Sequence, residues 1–502
     1  MEVVFLYLKQ KTNKMKKISS LAVLLFMVII TNAQIISVPY RGAFAPAPTP
    51  MWTNTWTNWD PQTTVYPVVG ASNPKSKTIG GASGATISVN TTLYADTTYE
   101  IAGLVYVRGG ATLTIQPGTI ILGSNRFANS TLIITQGAKI MAEGTPAKPI
   151  VFTSQYTPGF RAPGNWGGVI ILGNAHYNGT SAAGTPTPST YGVNYVEGIT
   201  PVNSATQSTQ YGGGATPNDA DNSGVLKYVR IEYGGYVFSQ NVEINGLTLG
   251  GVGSGTTIDY VQCSFINDDS FEWFGGAVNC SHLVSYRGVD DEFDTDNGFS
   301  GTVQFCLGVR DPQIADNSYS LASGGSNSEG FESDNDAAGS TNSPKTRAIF
   351  SNITMVGPLR GVRTSTNLAA IHPSFRRVAR IRRNSELRLL NSVLMDFPRG
   401  IHIDGTACEA LAAAGTSAAS LTGLKFKNNI VAGYGATTTS TGGYTERNSG
   451  STFDINTWFA ANANDSIGGT ANILTTPYNY LLPDYRPKAG GLAVTGSDYS
   501  DT

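Results

Sequence analysis

The chain has 502 residues, with 33 Lys and Arg against 35 Asp and Glu, for a formal net charge of −2. That balance excludes a general affinity for nucleic acid, which needs a strongly basic face. With 58 Gly, 24 Pro, 23 Tyr and 20 Phe but only 14% charged residues, the composition favours strands and turns over helices.

The N-terminus carries Met15-Lys16-Lys17, then the apolar run Ile18 to Ile30 and the small-residue site Thr31-Asn32-Ala33. This is the pattern of a secretory signal peptide cleaved after Ala33. Its apolar core is shorter than the ~20 residues of a membrane-spanning helix, and polar sequence follows at once. Residues 1–14 precede a better start at Met15, and no Cys follows the cleavage site to take a lipid. The expected location is therefore secreted, extracellular or on the cell surface, with the periplasm as the alternative.

Residues 34–86 are aromatic and Pro-rich, with Tyr40, Phe44, Trp52, Trp56 and Trp59. They are expected to cap the first coil of a solenoid, since an open coil exposes strand edges and apolar interior. An aromatic platform for sugar rings is the functional alternative. From Ile87 to about residue 485 the chain becomes a series of short β-branched runs closed by Gly, Asn or Asp, including Leu104–Val107, Thr131–Ile134, Gly168–Leu172 and Leu226–Ile231. Ile258 to His282 is 24 residues and His282 to Thr302 is 20, which fits one solenoid coil. The predicted fold is all-β, a right-handed single-stranded parallel β-helix. Residues 178–224, low in apolar residues, form an inserted loop, and 486–502 form a tail. Asn245-Gly246 is the one two-residue hairpin signal.

Cys263, Cys280, Cys306 and Cys408 lie in an export context that permits disulfides, yet four in so long a chain cannot frame the fold. Cys263 and Cys280 have the option of pairing. Small apolar fillers of a stacked interior is the other assignment for all four.

The segments Gly109–Gly118, Gly137–Ile140, Pro149–Thr153 and Asn165–Ile170 resemble the opening coils of large bacterial surface β-helix proteins. The stretch from Leu226–Glu232 through Glu243–Val261 to Asp294–Gly301 resembles an uncharacterised secreted or cell-surface β-helix family of Bacteroidota, often labelled type IX secretion targets or multidrug transporters. A more distant likeness is to the pectate-lyase-like β-helix architecture. The resemblance implies an extracellular or surface protein and supplies no catalytic residues. A strand-rich chain with one cleavable apolar segment is not expected to be a transporter.

The strongest polar signal is a set of acidic clusters: Asp268, Asp269 and Glu272; Asp290, Asp291, Glu292, Asp294 and Asp296; Asp311; and Glu332, Asp334 and Asp336. Asp269 to Asp291 is 22 residues and Asp291 to Asp311 is 20, so these carboxylates are expected to stack on successive coils about 4.8 Å apart. Unpaired, they repel, and a cation, a basic partner or protonation must relieve them. Oxygen donors with turn glycines suit Ca²⁺, and Asp268, Asp269, Asp290, Asp291, Asp294 and Asp296 are the expected ligands. A catalytic alternative uses paired carboxylates as acid and base of a polysaccharide lyase or hydrolase, with Arg287 and Arg310 holding a uronate carboxylate and Glu332, Asp334 and Asp336 contacting the ligand. The bland alternative is that these are turn carboxylates paired with arginines.

Arg360, Arg363, Arg376, Arg377, Arg380, Arg382, Arg383, Arg388 and Arg399 form a basic run suited to an acidic glycan or lipopolysaccharide, or to neutralising the acidic strip on adjoining coils. His402 and Asp404 alternate with Ile401 and Ile403 and are expected to face solvent together. The four His lie far apart in sequence, so neither a zinc site nor a Ser-His-Asp triad is indicated. The expected role is binding, with Ca²⁺ as the ion and a polysaccharide or outer-membrane envelope component as partner. The alternative is cleavage of an acidic polysaccharide.

Overall fold

The computed structural model describes residues 35–70, 72–127, 129–179, 192–199, 208–239, 242–316, 327–415, 422–434 and 443–501. The predicted leader lies outside them, as do parts of the 178–224 insertion. Among the described residues no helix is long and apolar enough to cross a membrane.

Strands of three to nine residues cannot bury an apolar side alone, so they stack coil upon coil. Leu104–Val107 pairs in parallel with Thr131–Ile134, which pairs with Gly168–Leu172, and the ladder continues to Thr445–Arg447 as one sheet of 11 strands among the described residues. Alternation sends every second side chain inward. Val105, Leu132, Val169, Leu247, Phe271, Phe293 and Phe331 thus stand in register and fill the core. A second set of 19 strands completes each coil. The protein is a parallel β-helix. Its first parallel ladder begins at Ser76–Gly80 and its last pairs Ile430–Ala432 with Asp465–Ile467.

Successive coils bend at a stacked series of residues in the left-handed region. Tyr228, Tyr260, His282, Phe305, Asn352, Asn391 and Asn428 all have φ between 50° and 61°. In the long strands Gly224–Glu232, Thr257–Ser264 and Asn279–Tyr286 this bend joins two sheet faces. In later coils it separates two strands, as Phe305 separates Thr302–Gln304 from Leu307–Val309. Stacking in adjacent coils helps hold this costly conformation. Tyr228 and Tyr260 are 4.4 Å apart and Tyr260 and His282 4.2 Å, while Asn428 Nδ2 donates to Asn391 Oδ1 at 2.7 Å.

That aromatic shelf explains where the N-terminal segment goes. The expectation that it caps the first coil is corrected: it runs along the flank of the solenoid. Arg41 pairs with Asp465, Trp52 packs on Tyr260 and His282, Trp56 on Tyr228, and the Tyr66 hydroxyl donates to Glu232. The C-terminal segment lies on the same flank. Tyr485 stacks near Phe44 and Trp59, and Asp501 pairs with Lys425 and Lys427.

The hairpin expected at Asn245-Gly246 does not form. Val242–Glu243 pairs instead with Val237–Ser239, and Leu247–Gly250 runs parallel between Gly168–Leu172 and Phe271–Phe274. Gly246 is there for space, since a Cβ would meet Ile266 Cγ1 and the Ser270 carbonyl at 2.8 Å. All four cysteines are buried and free, as apolar fillers. The described part of the 178–224 insertion lays Tyr195, Val196, Ile199 and Tyr211 over the outer face of the 11-stranded sheet, where Ile133, Ile170 and Leu172 are otherwise uncovered.

Candidate functional site

Beyond that covered stretch the outer face turns polar. The residue that points outward at the centre of each strand reads Thr248, Glu272, Asp294, Glu332, Arg380, His402 and Glu446 in register along the axis. Glu272 and Asp294 therefore sit one coil apart, as their 22-residue spacing predicts.

Just before Phe271–Phe274 and Phe293–Asp296 the chain turns through a further pair of acids, Asp268-Asp269 and Asp290-Asp291. The Asp291 amide donates to Asp269 Oδ1 at 2.8 Å, and the Glu329 amide donates to Asp291 Oδ1 at 2.5 Å. Asp269 and Asp291 are thus turn carboxylates, each capping the coil above it. Asp311 does not join this stack. The coil after Asp291 is longer, and the residue opposite Asp291 is Glu329, 38 positions on. Asp311 pairs instead with Arg287 at 2.5 Å.

One carboxylate oxygen each from Asp268, Asp269 and Asp290 lie within 4.8 Å of one another, and the same holds for Asp269, Glu272 and Asp294. Asp269 belongs to both groups. It and Glu272 are buried, while Asp268, Asp290 and Asp294 remain partly accessible. Burial, then the charge of neighbouring carboxylates, pushes Asp268, Asp269, Glu272, Asp291, Asp294 and Asp296 well above the usual carboxylate range. The Asn245 side chain donates to both Glu272 Oε2 and Thr248 Oγ1, and its own Oδ1 is buried without a hydrogen-bond partner. Asp294 Oδ1 is likewise buried and partnerless. Among the described residues no Lys or Arg ion pair reaches Asp268, Asp269, Glu272 or Asp294.

Farther along the axis the arginines take over. Arg380 meets Glu332 at 3.5 Å and Asp404 at 2.7 Å, Arg382 pairs with both Glu332 and Asp334, and Arg383 with Asp334 at 2.7 Å. Arg377 bridges Glu329 and Glu446. Much of the basic run therefore neutralises acids on adjoining coils. Burial pushes Glu332 up to about 7, with Arg382 opposing the rise. Asp336 caps its own loop, accepting from the amides of Ala338 and Ser340 at 3.0 Å.

Two expected ligand-holding arginines are committed elsewhere. Arg310 is 1% exposed, paired with Glu292 at 2.6 Å, and donates to the carbonyls of Gly288, Val289 and Glu329. Arg287 lies between the rings of Phe265 and Tyr480, 4.7 Å from each. The expectation that His402 faces solvent is also corrected. It is 5% exposed, with Nε2 on Asn448 Oδ1 at 2.8 Å, because the chain from 443 to 448 packs over it.

One grouping had no sequence signal. His176 Nδ1 lies 2.7 Å from Asp219, with Ser300 Oγ 3.5 Å from Nε2. This is not a nucleophile-base pair, since Nε2 is bound to the Gly298 carbonyl at 2.6 Å and must carry its proton there. Asn245 and Thr248, which support Glu272 from the neighbouring coil, were equally invisible.

The pectate-lyase-like β-helix domain family matches residues 84–464, and the chain belongs to that family. No curated protein and no solved structure matches it.

Proposed function

We propose that this protein is a secreted or surface β-helix that binds a polysaccharide or another envelope component, with Ca²⁺ held at the acidic patch. The observation that carries the ion is Asp294, whose buried Oδ1 has no hydrogen-bond partner and which meets Asp269 and Glu272 within 4.8 Å. Ca²⁺ takes oxygen ligands at about 2.4 Å, so ligands on opposite sides of one ion stand about 4.8 Å apart. Asp269, Glu272 and Asp294 fit that sphere, and the partnerless Asn245 Oδ1 nearby is a fourth oxygen of suitable chemistry. Asp268 and Asp290 border a second sphere that shares Asp269. An ion there offsets the burial and the mutual repulsion that raise these carboxyls. The family supports the polysaccharide, since its description is that of a lyase-like domain. The predicted leader supports export, and the likeness to secreted Bacteroidota proteins agrees with it.

Cleavage of an acidic polysaccharide is the second candidate, favoured by Glu332. That residue stands on the outward ladder between Asp294 and Arg380, beside Arg382, and a carboxyl raised by burial in such a place is suited to proton transfer. The test is calorimetric titration of residues 34–502 and of Asp294→Asn with Ca²⁺, alongside incubation with acidic polysaccharides and assay for new reducing ends. Binding by the parent alone, without cleavage, supports the first function. Cleavage lost in Glu332→Gln supports the second, and equal Ca²⁺ binding by both proteins removes the ion site.

A further inference from the structure

A cavity of about 250 Å³ opens where the strands Arg377–Ile381 and Arg399–Ile403 begin. Arg363, Arg376, Arg399 and His372 line it, against apolar walls that include Phe375 and Pro398. Glu446 offsets Arg399 at 2.6 Å, and Arg376 donates to the carbonyl of Phe375. Arg363 is different. Its Nε is buried and, among the described residues, has no hydrogen-bond partner, a costly condition for a charged donor. His372 adds another donor: Nδ1 accepts the Ser374 amide at 3.3 Å, which leaves the ring proton on Nε2. Guanidinium groups around one small cavity repel one another unless an anion sits among them.

We propose that this pocket binds the anionic unit of a saccharide, with the guanidinium forks taking a carboxylate and the apolar walls taking the C–H face of the ring. Its position supports an elongated ligand. Four residues before Asp294 and Glu332 stand Asp290 and Ser328, and Ser328 bridges in parallel to Phe375 on the next coil, next to Arg376. Arg376 is thus two coils beyond Asp290, about 10 Å along the axis. The pocket is nonetheless a separate site that needs no cation, so its failure and that of the acidic patch are distinguishable.

The experiment is calorimetric titration of the full chain, in low salt with chelator present, using glucuronate, glucose and inorganic phosphate. Glucuronate is expected to bind and glucose not to. Arg363→Gln should weaken glucuronate about tenfold at unchanged melting temperature, and Arg363→Lys, which keeps the charge but loses the fork, should weaken it less. Equal binding of glucose and glucuronate overturns the proposal, as does unchanged affinity in both Arg363 variants. Phosphate binding more tightly than glucuronate overturns the sugar assignment. Glucuronate binding that is absent in chelator and appears when the titration is repeated with Ca²⁺ assigns the ligand to the acidic patch and overturns this pocket.

Discussion

The backbone N–H of Asp291 donates to the Asp269 carboxylate one coil away at 2.8 Å, so one side chain both caps a turn and borders two groups of acids. Its two roles separate by substitution. Asp269→Ala should cost about 1–3 kcal/mol in chemical denaturation without metal, because the Asp291 amide is left buried and unsatisfied. Asp269→Asn keeps an acceptor and removes a repelling charge. It is expected to match or exceed the parent in stability without Ca²⁺ while losing Ca²⁺ binding.

The raised carboxyls set the pH dependence. A group whose folded-state pKa lies above its unfolded value contributes stability that is fully present below the unfolded pKa and is lost as pH rises through the folded one. Glu332, at about 7, and the more strongly raised Asp294 and Glu272 all have this sign. In chelator the melting temperature should therefore fall as pH rises from 5 to 8. Ca²⁺ at about one hundred times its Kd should restore about 2.7 kcal/mol at pH 8, with little effect at pH 5. A melting temperature that rises over that range in chelator contradicts the assignment.

Arg310 and Glu292 are both sealed inside the coil. Arg310→Met should cost about 3–5 kcal/mol, since Glu292, pushed up to about 8 by burial, loses the partner that opposes that rise and is left buried without its ion pair, and Glu292→Gln combined with Arg310→Met should recover part of it. Denaturant midpoints of the single and double variants decide this.

The four thiols are expected to be unreactive toward a thiol reagent in the native protein and to react in full after denaturation without reductant. Burial raises all four, Cys280 and Cys408 to about 12, so little thiolate exists at neutral pH. Fewer than four thiols in denaturant would reveal a disulfide.

The coil period was legible because Glu272 and Asp294 recur at the interval of their strands. It failed at Asp311 because the next coil is longer, and no local signal sets register across unequal coils. The partners of Glu332 and Asp334 were nameable as a group of arginines, but which one meets which depends on that register. The flank occupied by Trp52 and Trp56 was hidden for another reason. Its bends are carried by Tyr228, Tyr260, His282 and Phe305, residues that give no glycine cue for a left-handed turn. Asn245-Gly246 misled in the opposite sense, where a glycine serves close packing.

The two terminal segments on one flank change how the molecule comes apart. A bare stack of coils frays from its ends, because each repeat contacts only its neighbours. Here Arg41 is fastened to Asp465, 424 residues away, and Trp56 to a coil near the middle. Opening the last coil requires breaking the Arg41–Asp465 link as well, so that end is expected to resist fraying. The same arrangement delays completion. The first segment to emerge finds its seat only after the last coils exist, which makes folding slow and the finished protein persistent.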